Sequence, residues 1–358
     1  MNSSLADPAK TLLLDALIDD SADSVLLLSD EHITGSDLNR CFSHATSTTL
    51  HVISNRYRTI KTTHKHHSFA FNDFVIDPQQ HTFFDSVYIR IPKEKAVLRH
   101  LINSAHHALS IGGSLFFSGK KNEGVKSAQK IAQDTFNATA SKIGKHNAAL
   151  LYEIKKTNAN EWASTSTSYQ EHIKLAHTEC DHISTLCSKP GQFGHQKIDL
   201  GSHLLCQHYA AIYDSFEVSP TRFLDLGCGY GYLTLHSKPY PLSERVATDN
   251  NAAALISCAK NCSDNGLDCH VIASDAGSVL EPAFDWIVCN PPFHRGFSND
   301  SGLLNHFLDS ARRLLSKHGQ ATFVVNEFIP LEREARASFN VIKQLDHAHG
   351  FNVYALSR

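Results

Sequence analysis

Residues 223–231 read FLDLGCGYG, and the fold class follows from this segment. An apolar segment typical of a buried β-strand runs into three alternating glycines, and residues 232–235 can begin a helix. Glycine permits a tight turn and lets the backbone approach a ligand closely. No Gly-Lys-Ser/Thr sequence follows, so the segment is not a phosphate-binding P-loop. The pattern predicts a strand–turn–helix unit with Gly227, Gly229 and Gly231 in the turn.

Acidic residues end three successive predicted strands. Asp225 precedes the glycines and can accept from an ammonium group or fix the loop. Asp249 ends the next strand and can bind both hydroxyls of a ribose, while Asp275 ends the third and can accept from an adenine amino group. Asp249 or Asp275 alone could instead cap a helix. Three acids in this order predict one ligand site, because open α/β sheets bind ligands at the carboxyl ends of their strands.

The fourth strand ends in residues 290–294, which read NPPFH. A bare Pro-Pro can simply turn the chain, but that reading does not explain the asparagine or the aromatic residue. The amide oxygen of Asn290 and the carbonyl oxygen of Pro291 can accept both N–H bonds of an exocyclic amine on a base. Pro292 keeps the turn rigid, and Phe293 can stack on the base, a contact worth ~1–3 kcal/mol. The motif predicts catalysis by orientation of an amine.

The chain contains the same pattern twice. Residues 84–92 and 284–292 both begin with Phe-Asp, continue as a buried strand and end at a proline, at an offset of 200. Downstream, residues 100–113 match residues 306–319 at an offset of 206. Each of these is predicted to be an amphipathic helix closed by a glycine C-cap, Gly113 or Gly319, before another strand. This agreement indicates duplication of an α/β domain with a mostly parallel sheet.

A polar stretch at residues 155–169 separates the two copies, so we expect domains at residues 1–165 and 166–358. The first copy lacks the glycine turn, since residues 29–35 read SDEHITG. Arg90 stands where the second copy has Asn290, and arginine cannot accept a hydrogen bond from an amine. The first domain is therefore expected to bind neither the ligand of the three acids nor the base.

Charge and composition limit the class of protein. The 358 residues are 42% hydrophobic, which is typical of a globular protein, and no apolar run is long enough to span a membrane. The start of the chain has no export signal, and the cysteines number nine, so we expect reduced thiols in the cytoplasm.

The basic charge is concentrated in one block. Residues 51–160 carry 16 Lys/Arg and seven Asp/Glu, whereas the chain as a whole has a net charge of −3. This block predicts a polyanionic partner or a solvated face, and the candidate contacts to such a partner are Lys120, Lys121, Lys126 and Lys130. His64, His66 and His67 in the same block are expected to be solvated.

No metal site is expected. Cys258 and Cys262 lie one helical turn apart near Cys269 and His270, but they lack paired Cys-x-x-Cys spacing, which favours buried thiols over zinc.

The Asp-x-Gly-x-Gly-x-Gly turn, the two later acids and the NPPFH run resemble class I methyltransferases that modify exocyclic amines. Residues 190–202 (PGQFGHQKIDLGS) and 119–128 (GKKNEGVKSA) extend the resemblance to the RsmC family, which methylates guanine N2 in small-subunit (16S) rRNA. The family's usual Phe-Ser-Arg is Phe-Gly-His here, at residues 193–195.

The resemblance covers nearly the whole chain. It implies S-adenosylmethionine as cofactor and two tandem Rossmann-like domains with mostly parallel seven-stranded sheets. The first domain would be degenerate and hold RNA, either small-subunit rRNA or the 30S particle. Phe193 and the segment from Asp199 to Ser202 would cap the cofactor.

Three alternatives remain at this stage. A family that acts on large-subunit rRNA shares NPPFH, although residues 121–128 favour the small-subunit substrate. Protein glutamine N5-methyltransferases use a similar Asn-Pro-Pro element, usually with tyrosine. A noncatalytic RNA-binding module could retain the fold, but the intact Asn290 motif argues against it.

His294 can accept a proton or, as we favour, shape the loop.

Overall fold

The computed structural model describes residues 7–44, 48–57, 67–76, 83–157, 169–175, 182–292 and 300–358. The chain divides into two compact units, Met1–Glu171 and His172–Arg358. Residue 165, where the sequence places the boundary, lies outside the described residues.

The first unit contains one large sheet and its helices. Its strands are β1 (Ser24–Ser29), β2 (Thr49–Ser54), β3 (Ser68–Phe71), β4 (Phe84–Arg90), β5 (Leu109–Lys120), β6 (Ser141–His146) and β7 (Ala149–Lys155). Its helices are α1 (Pro8–Ile18), α2 (Gly35–His44), α3 (Lys95–Ala108) and α4 (Val125–Phe136), with a 3-10 turn at Lys121–Glu123. The strand order is β3-β2-β1-β4-β5-β7-β6; β7 pairs antiparallel with β5 and β6, and the other neighbouring strands pair in parallel.

The second unit begins with a two-stranded ribbon and repeats this architecture. Its strands are β8 (Ile173–Lys174), β9 (Cys187–Ser188), β10 (Arg222–Leu226), β11 (Glu244–Asp249), β12 (His270–Ala273), β13 (Phe284–Cys289), β14 (Leu315–Asn326), β15 (Val341–Ala348) and β16 (Phe351–Ser357). Its helices are α5 (Leu200–Gln207), α6 (Tyr209–Asp214), α7 (Tyr232–His236), α8 (Ala252–Asp264), α9 (Asp300–Leu314) and α10 (Leu331–Ala335). The large sheet has the order β12-β11-β10-β13-β14-β16-β15, which is the order of the first sheet strand for strand.

Both faces of the second sheet are covered, as a parallel sheet requires. Along β13, Ile287 and Cys289 belong to one apolar cluster, whereas Trp286 and Val288 belong to another. Successive side chains of a strand point to opposite faces, so these two clusters are the cores above and below the sheet. The sheet's edges and its strand ends are therefore what remain for binding.

The predicted glycine C-caps are wrong. Helices α3 and α9 end at Ala108 and Leu314, and Gly113 and Gly319 lie inside β5 and β14. Each glycine sits at an irregularity of strand pairing, and a Cβ on either would lie 2.8 Å from a backbone carbonyl oxygen of the neighbouring strand. Glycine is needed there because two backbones approach closely. The same irregularity in both sheets supports the duplication.

Candidate active site

The glycine turn lies where the order of the second sheet reverses. β10 pairs with β11 on one side and β13 on the other, which is the switch point at which α/β folds bind ligands. Gly227, Gly229 and Gly231 all have positive φ, at 86°, 54° and 83°. A Cβ on Gly231 would lie 2.8 Å from the Cys258 sulfur, whereas a Cβ on Gly229 would meet nothing within 4 Å. The turn thus packs tightly at its end and is open in its middle.

Asp225 fixes the start of the helix after this turn. Its Oδ2 accepts from the Thr234 backbone N–H at 3.0 Å and from the Thr234 hydroxyl at 2.6 Å, which satisfies a free donor of α7. The side chain is fully buried, and its Oδ1 has no hydrogen-bond partner. Burial raises the pKa of Asp225 to about 7, and the charge of Asp249 adds to this increase. The sequence left two roles open for Asp225, to accept from an ammonium group or to fix the loop; these hydrogen bonds are those of a residue that fixes the loop.

Asp249 joins the glycine turn to helix α8. Its Oδ2 accepts from Gly229 N at 3.0 Å, and its Oδ1 accepts from Asn251 N at 2.8 Å. The N-cap of α8 is Asn251, so the alternative reading of Asp249 as the helix cap is wrong. Asn251 also donates to Gly191 O at 2.7 Å, which brings the segment before Phe193 to this side of the site. The Phe193 side chain is 54% exposed.

Asp275 lies beside helix α9. His306 Nε2 is 3.4 Å from Asp275 Oδ1, and both side chains are about half exposed. The ring of the next residue, Phe307, packs against the glycine turn: a Cβ on Gly227 would lie 3.3 Å from the Phe307 Cε1 atom. Helix α9 therefore borders the glycine turn and Asp275 together. His306 matches His100 of the first copy at the offset of 206, but no motif in the sequence points to a role for it at the site.

Asn290 is held by two acceptors. Its Nδ2 donates to Asp199 Oδ1 at 2.7 Å and to Ser202 Oγ at 2.8 Å. Because a carboxylate only accepts, the amide nitrogen must face Asp199. The Oδ1 of Asn290 is consequently directed elsewhere, and no described residue donates to it. This orientation leaves an acceptor for a donor from outside the chain.

Asp199 has a second function in the same place. It is the N-cap of α5, where its Oδ1 accepts from Ser202 N at 2.8 Å. The first turn of α5 thus presents both acceptors that orient Asn290. In the NPPFH run, Pro291 is buried and Pro292 is exposed, whereas Phe293 and His294 lie outside the described residues.

The first unit has different residues at the equivalent positions. Strand registers align Leu27 with Asp225, Ser54 with Asp249, and Arg90 with Asn290. Arg90 is 1% exposed; its Nε donates to Asp7 Oδ2 at 2.9 Å, and an Nη donates to Glu123 Oε2 at 2.6 Å. Asp7 caps α1 as Asp199 caps α5.

A buried ion pair therefore occupies the place of the amide contact. Burial alone would raise the pKa of both carboxyls, but the hydrogen bonds and charge around Arg90 hold the pKa of Asp7 and of Glu123 below their usual values. For Glu123, the Lys120 backbone N–H contributes to the lowering. The first unit thus lacks counterparts of Asp225, Asp249 and the amide acceptor of Asn290.

The four candidate RNA-binding lysines do not have equal surroundings. Lys120 Nζ lies 3.8 Å from Asp7 and 3.6 Å from Glu123, so its charge is partly neutralised. Lys121, Lys126 and Lys130 are exposed, and the last two lie one turn apart on α4, as predicted. Lys126 Nζ is also 5.3 Å from the centre of the Tyr152 ring.

Cys258 and Cys262 are buried thiols, as favoured, and Cys269 is half-buried. No group of three or more His, Cys, Asp or Glu in the described residues could hold a metal ion. Of the histidines 64, 66 and 67, only His67 is described; its ring contacts Phe42 at 5.4 Å. Nowhere in the described ranges is a helix both long and apolar enough to cross a membrane.

Both units are similar to methyltransferase families. Residues 184–355 match the Methyltransferase small domain family, and residues 21–171 match the Methyltransferase small domain N-terminal family. The ribosomal RNA small subunit methyltransferase C of Hahella chejuensis is 30% identical over 274 residues, or 76% of this chain and 77% of that protein. The protein of the same name from Shewanella loihica is 28% identical over 278 residues, with the same coverage.

A solved structure has the same fold. The T. thermophilus 16S rRNA N2 methyltransferase RsmC, in complex with AdoMet and guanosine, superposes with a TM-score of 0.82 at 21% identity. The match covers 99% of this chain and 93% of that chain. The predicted architecture of two tandem α/β domains, each with a mostly parallel seven-stranded sheet, is confirmed.

Proposed function

This chain belongs to the ribosomal RNA small subunit methyltransferase C family, and from that membership we propose how its second unit performs the reaction. It is an rRNA methyltransferase that transfers a methyl group from S-adenosylmethionine to the exocyclic N2 of a guanine in 16S rRNA. The observation that carries our assignment of the site is the fixed orientation of Asn290 by Asp199 and Ser202.

Asn290 orients the amine that is methylated. The lone pair of an exocyclic amine is delocalised into the base, so the nitrogen is a poor nucleophile. The Oδ1 of Asn290 and the carbonyl oxygen of Pro291 accept its two N–H bonds and direct the remaining lone pair at the methyl group. Holding two reactants in a productive geometry can lower a barrier by several kcal/mol, up to ~7–11. Phe293 stacks on the same base.

The residues around the glycine turn fit the cofactor. S-adenosylmethionine supplies an electrophilic methyl group on a positively charged sulfur. Asp249 accepts from the ribose hydroxyls, and Asp275 accepts from the adenine amine. The buried, unpartnered Oδ1 of Asp225 and the open space over Gly229 are what an ammonium group and a closely approaching ligand require. Phe193, Asp199 and Ser202 border the cofactor from the N-terminal side.

The positive charge of the sulfonium disappears as the methyl group is transferred. The protein therefore gains little from adding charge at the reacting atoms, and its main contribution is positioning. Asn290 meets this demand, because its amide group is already oriented by Asp199 and Ser202 without any substrate.

The first unit contributes RNA binding. It lacks the equivalents of Asp225, Asp249 and Asn290 but carries the basic block, so exposed Lys121, Lys126 and Lys130 contact phosphates, with a smaller contribution from Lys120. The partner is small-subunit rRNA, free or in the 30S particle, and the reaction takes place in the cytoplasm. Neither a membrane nor a metal ion takes part.

Transfer of a labelled methyl group tests the function. The protein is incubated with labelled S-adenosylmethionine and, in separate reactions, 16S rRNA, 30S particles or 50S particles from cells that lack the gene, and the labelled product is identified by mass spectrometry. We expect N2-methylguanosine in the small-subunit rRNA. Label in large-subunit rRNA or on a protein glutamine would identify a different substrate, and an absence of transfer to any of these would leave an RNA-binding module.

A further inference from the structure

Asp73 in the first unit occupies the position of Asp275 in the second. Both lie two residues beyond the third strand of their sheet, β3 or β12. The strand registers give the same equivalence independently, because Ser54 pairs with Phe71 as Asp249 pairs with Ala273. Asp73 is thus a retained copy of the acid that faces the adenine in the proposed function.

His100 and His306 are a second retained pair. They lie on the equivalent helices α3 and α9 at the offset of 206 that relates these helices and the strands after them. In the second unit, His306 contacts Asp275 directly, at 3.4 Å. The retained acid and the retained histidine therefore stand together at the carboxyl edge of the sheet.

In the first unit this place is filled by a side chain of the chain itself. The ring of Tyr169 stacks on the ring of His100, with centroids 4.4 Å apart and planes inclined by 20°. The hydroxyl of Tyr169 donates to Asp73 Oδ1 at 2.5 Å. Tyr169 is fully buried, although it is the last residue of the polar stretch predicted to be a linker. It presents a flat ring with one polar donor at its end, as an adenine with its exocyclic amine does.

We propose that the ring of His306 forms one wall of the adenine pocket in the second unit and stacks on the adenine of the cofactor, as His100 stacks on Tyr169 in the first. Asp275 accepts from the adenine amine in this arrangement, as Asp73 accepts from the tyrosine hydroxyl. The inference rests on the proposed use of S-adenosylmethionine and assigns a residue that sequence reasoning left without a role. Tyr169 acts as an internal substitute for the nucleoside and closes the first pocket.

Binding of S-adenosylhomocysteine tests the stacking of His306 on the adenine without requiring turnover. We expect His306→Ala to raise the dissociation constant of S-adenosylhomocysteine about tenfold in calorimetry, because the variant loses the ring that stacks on the base. His306→Phe should bind within about threefold of the wild type, because it keeps a stacking ring. His100→Ala is the matched control: the protein should melt at a lower temperature but bind S-adenosylhomocysteine unchanged.

A second ligand separates stacking from the amine contact. In S-inosylhomocysteine a carbonyl oxygen replaces the adenine amine, so wild-type protein should bind it more weakly than S-adenosylhomocysteine. His306→Ala should lower the affinity for both ligands by the same factor, since both bases stack on the histidine ring. Asp275→Asn should reduce the preference between the two ligands, since an amide can donate to the carbonyl oxygen.

The outcomes are distinct. A folded His306→Ala protein with unchanged affinity, or a loss that His306→Phe does not restore, would overturn the assignment of His306 while methylation of 16S rRNA by the wild type continues. A wild-type protein that binds no S-adenosylhomocysteine and methylates no RNA would instead remove the proposed function on which the inference rests.

Discussion

Asn290 Nδ2 lies 2.7 Å from Asp199 Oδ1, although the two residues are 91 positions apart in the sequence. Asp199 is placed there because it caps α5, and the same oxygen accepts from Ser202 N. A helix cap, which usually serves stability alone, here decides which way a proposed catalytic amide points. In the first unit, the equivalent cap Asp7 binds Arg90 instead.

Replacement of Asn290 should separate binding from chemistry. Asn290→Ala removes the oriented acceptor, so we expect methylation to fall by about 10²-fold or more, while the dissociation constant of S-adenosylmethionine stays within a few fold. Single-turnover kinetics and calorimetry measure the two quantities. Near-normal turnover of Asn290→Ala would contradict the orientation of the amine by this residue.

An exchange of the two groups tests the role of Asp199. Asn290→Asp keeps an acceptor and should be more active than Asn290→Ala, but it sets two carboxylates at hydrogen-bond distance. Adding Asp199→Asn restores one donor and one acceptor, and asparagine is still a good N-cap. We expect the double variant to exceed Asn290→Asp alone; equal rates would show that Asp199 does not orient the residue at 290.

Asp249 should be required for cofactor affinity and for the shape of the glycine turn. Asp249→Ala removes the proposed ribose contacts, worth at most ~1.5–3 kcal/mol each, and the acceptors of Gly229 N and Asn251 N. Calorimetry should show weaker binding of S-adenosylhomocysteine, and hydrogen exchange should be faster at these two amides. Unchanged affinity in a folded variant would exclude Asp249 from the site.

The buried carboxyl of Asp225 should make stability depend on pH. Its pKa is raised from 3.8 to about 7, so between about pH 4 and pH 7 the folded protein holds a proton that the unfolded chain has released. The contribution of Asp225 therefore destabilises the fold as pH rises through this window, by up to ~1.4 kcal/mol per pH unit, and is constant above it.

Asp225→Asn should flatten this dependence, since it removes the titrating group but still offers an oxygen to Thr234. The free energy of unfolding in urea is measured at pH 5 and pH 8 for both proteins. The fluorescence of buried Trp286, in a Trp162→Phe background, reports the unfolding. If both proteins lose the same stability between these pH values, Asp225 is not the group responsible.

Arg90 should stabilise the first unit without affecting the affinity of the protein for the cofactor. Arg90→Met leaves Asp7 and Glu123 without their buried cation, so we expect a loss of about 3 kcal/mol at neutral pH. The pKa values of both carboxyls are lowered in the fold, so the stability they contribute is present above about pH 4.5 and is lost on acidification.

The Arg90→Met variant should consequently differ less from the wild type at pH 3.5 than at pH 7 in thermal unfolding. Its affinity for S-adenosylhomocysteine should equal that of the wild type, because the proposed cofactor residues all lie in the second unit. A variant as stable as the wild type at neutral pH would contradict the importance of this ion pair.

The exposed lysines should carry the salt dependence of RNA binding. Replacement of Lys121, Lys126 and Lys130 by Ala should weaken binding about uniformly across RNA sequences and reduce the slope of log affinity against log salt by ~0.7–0.9 per lost contact. Lys120→Ala is the matched control and should change the slope less, because two carboxylates already face its ammonium group. An unaltered slope in the triple variant would indicate a solvated face.

The local part of the site could be predicted from the sequence. The glycine turn after β10 and the acids at or just beyond the ends of β10, β11 and β12 follow from short-range rules of turns and parallel strands. The duplication was also visible, because Phe-Asp and the glycines recur at constant offsets. The predicted glycine caps failed because a glycine after a helix and a glycine opposite a neighbouring backbone look the same in one dimension.

The fold class, the duplication and the residue types at the strand ends depend on neighbours along the chain, so they could be predicted from the sequence. The pairs between distant groups exist only in the folded chain: Asp199 with Asn290, Asp7 with Arg90, and Tyr169 with Asp73. It also decided the raised pKa of Asp225, which depends on complete burial. Hydrogen bonds and desolvation act through space, and the folded chain alone sets those distances.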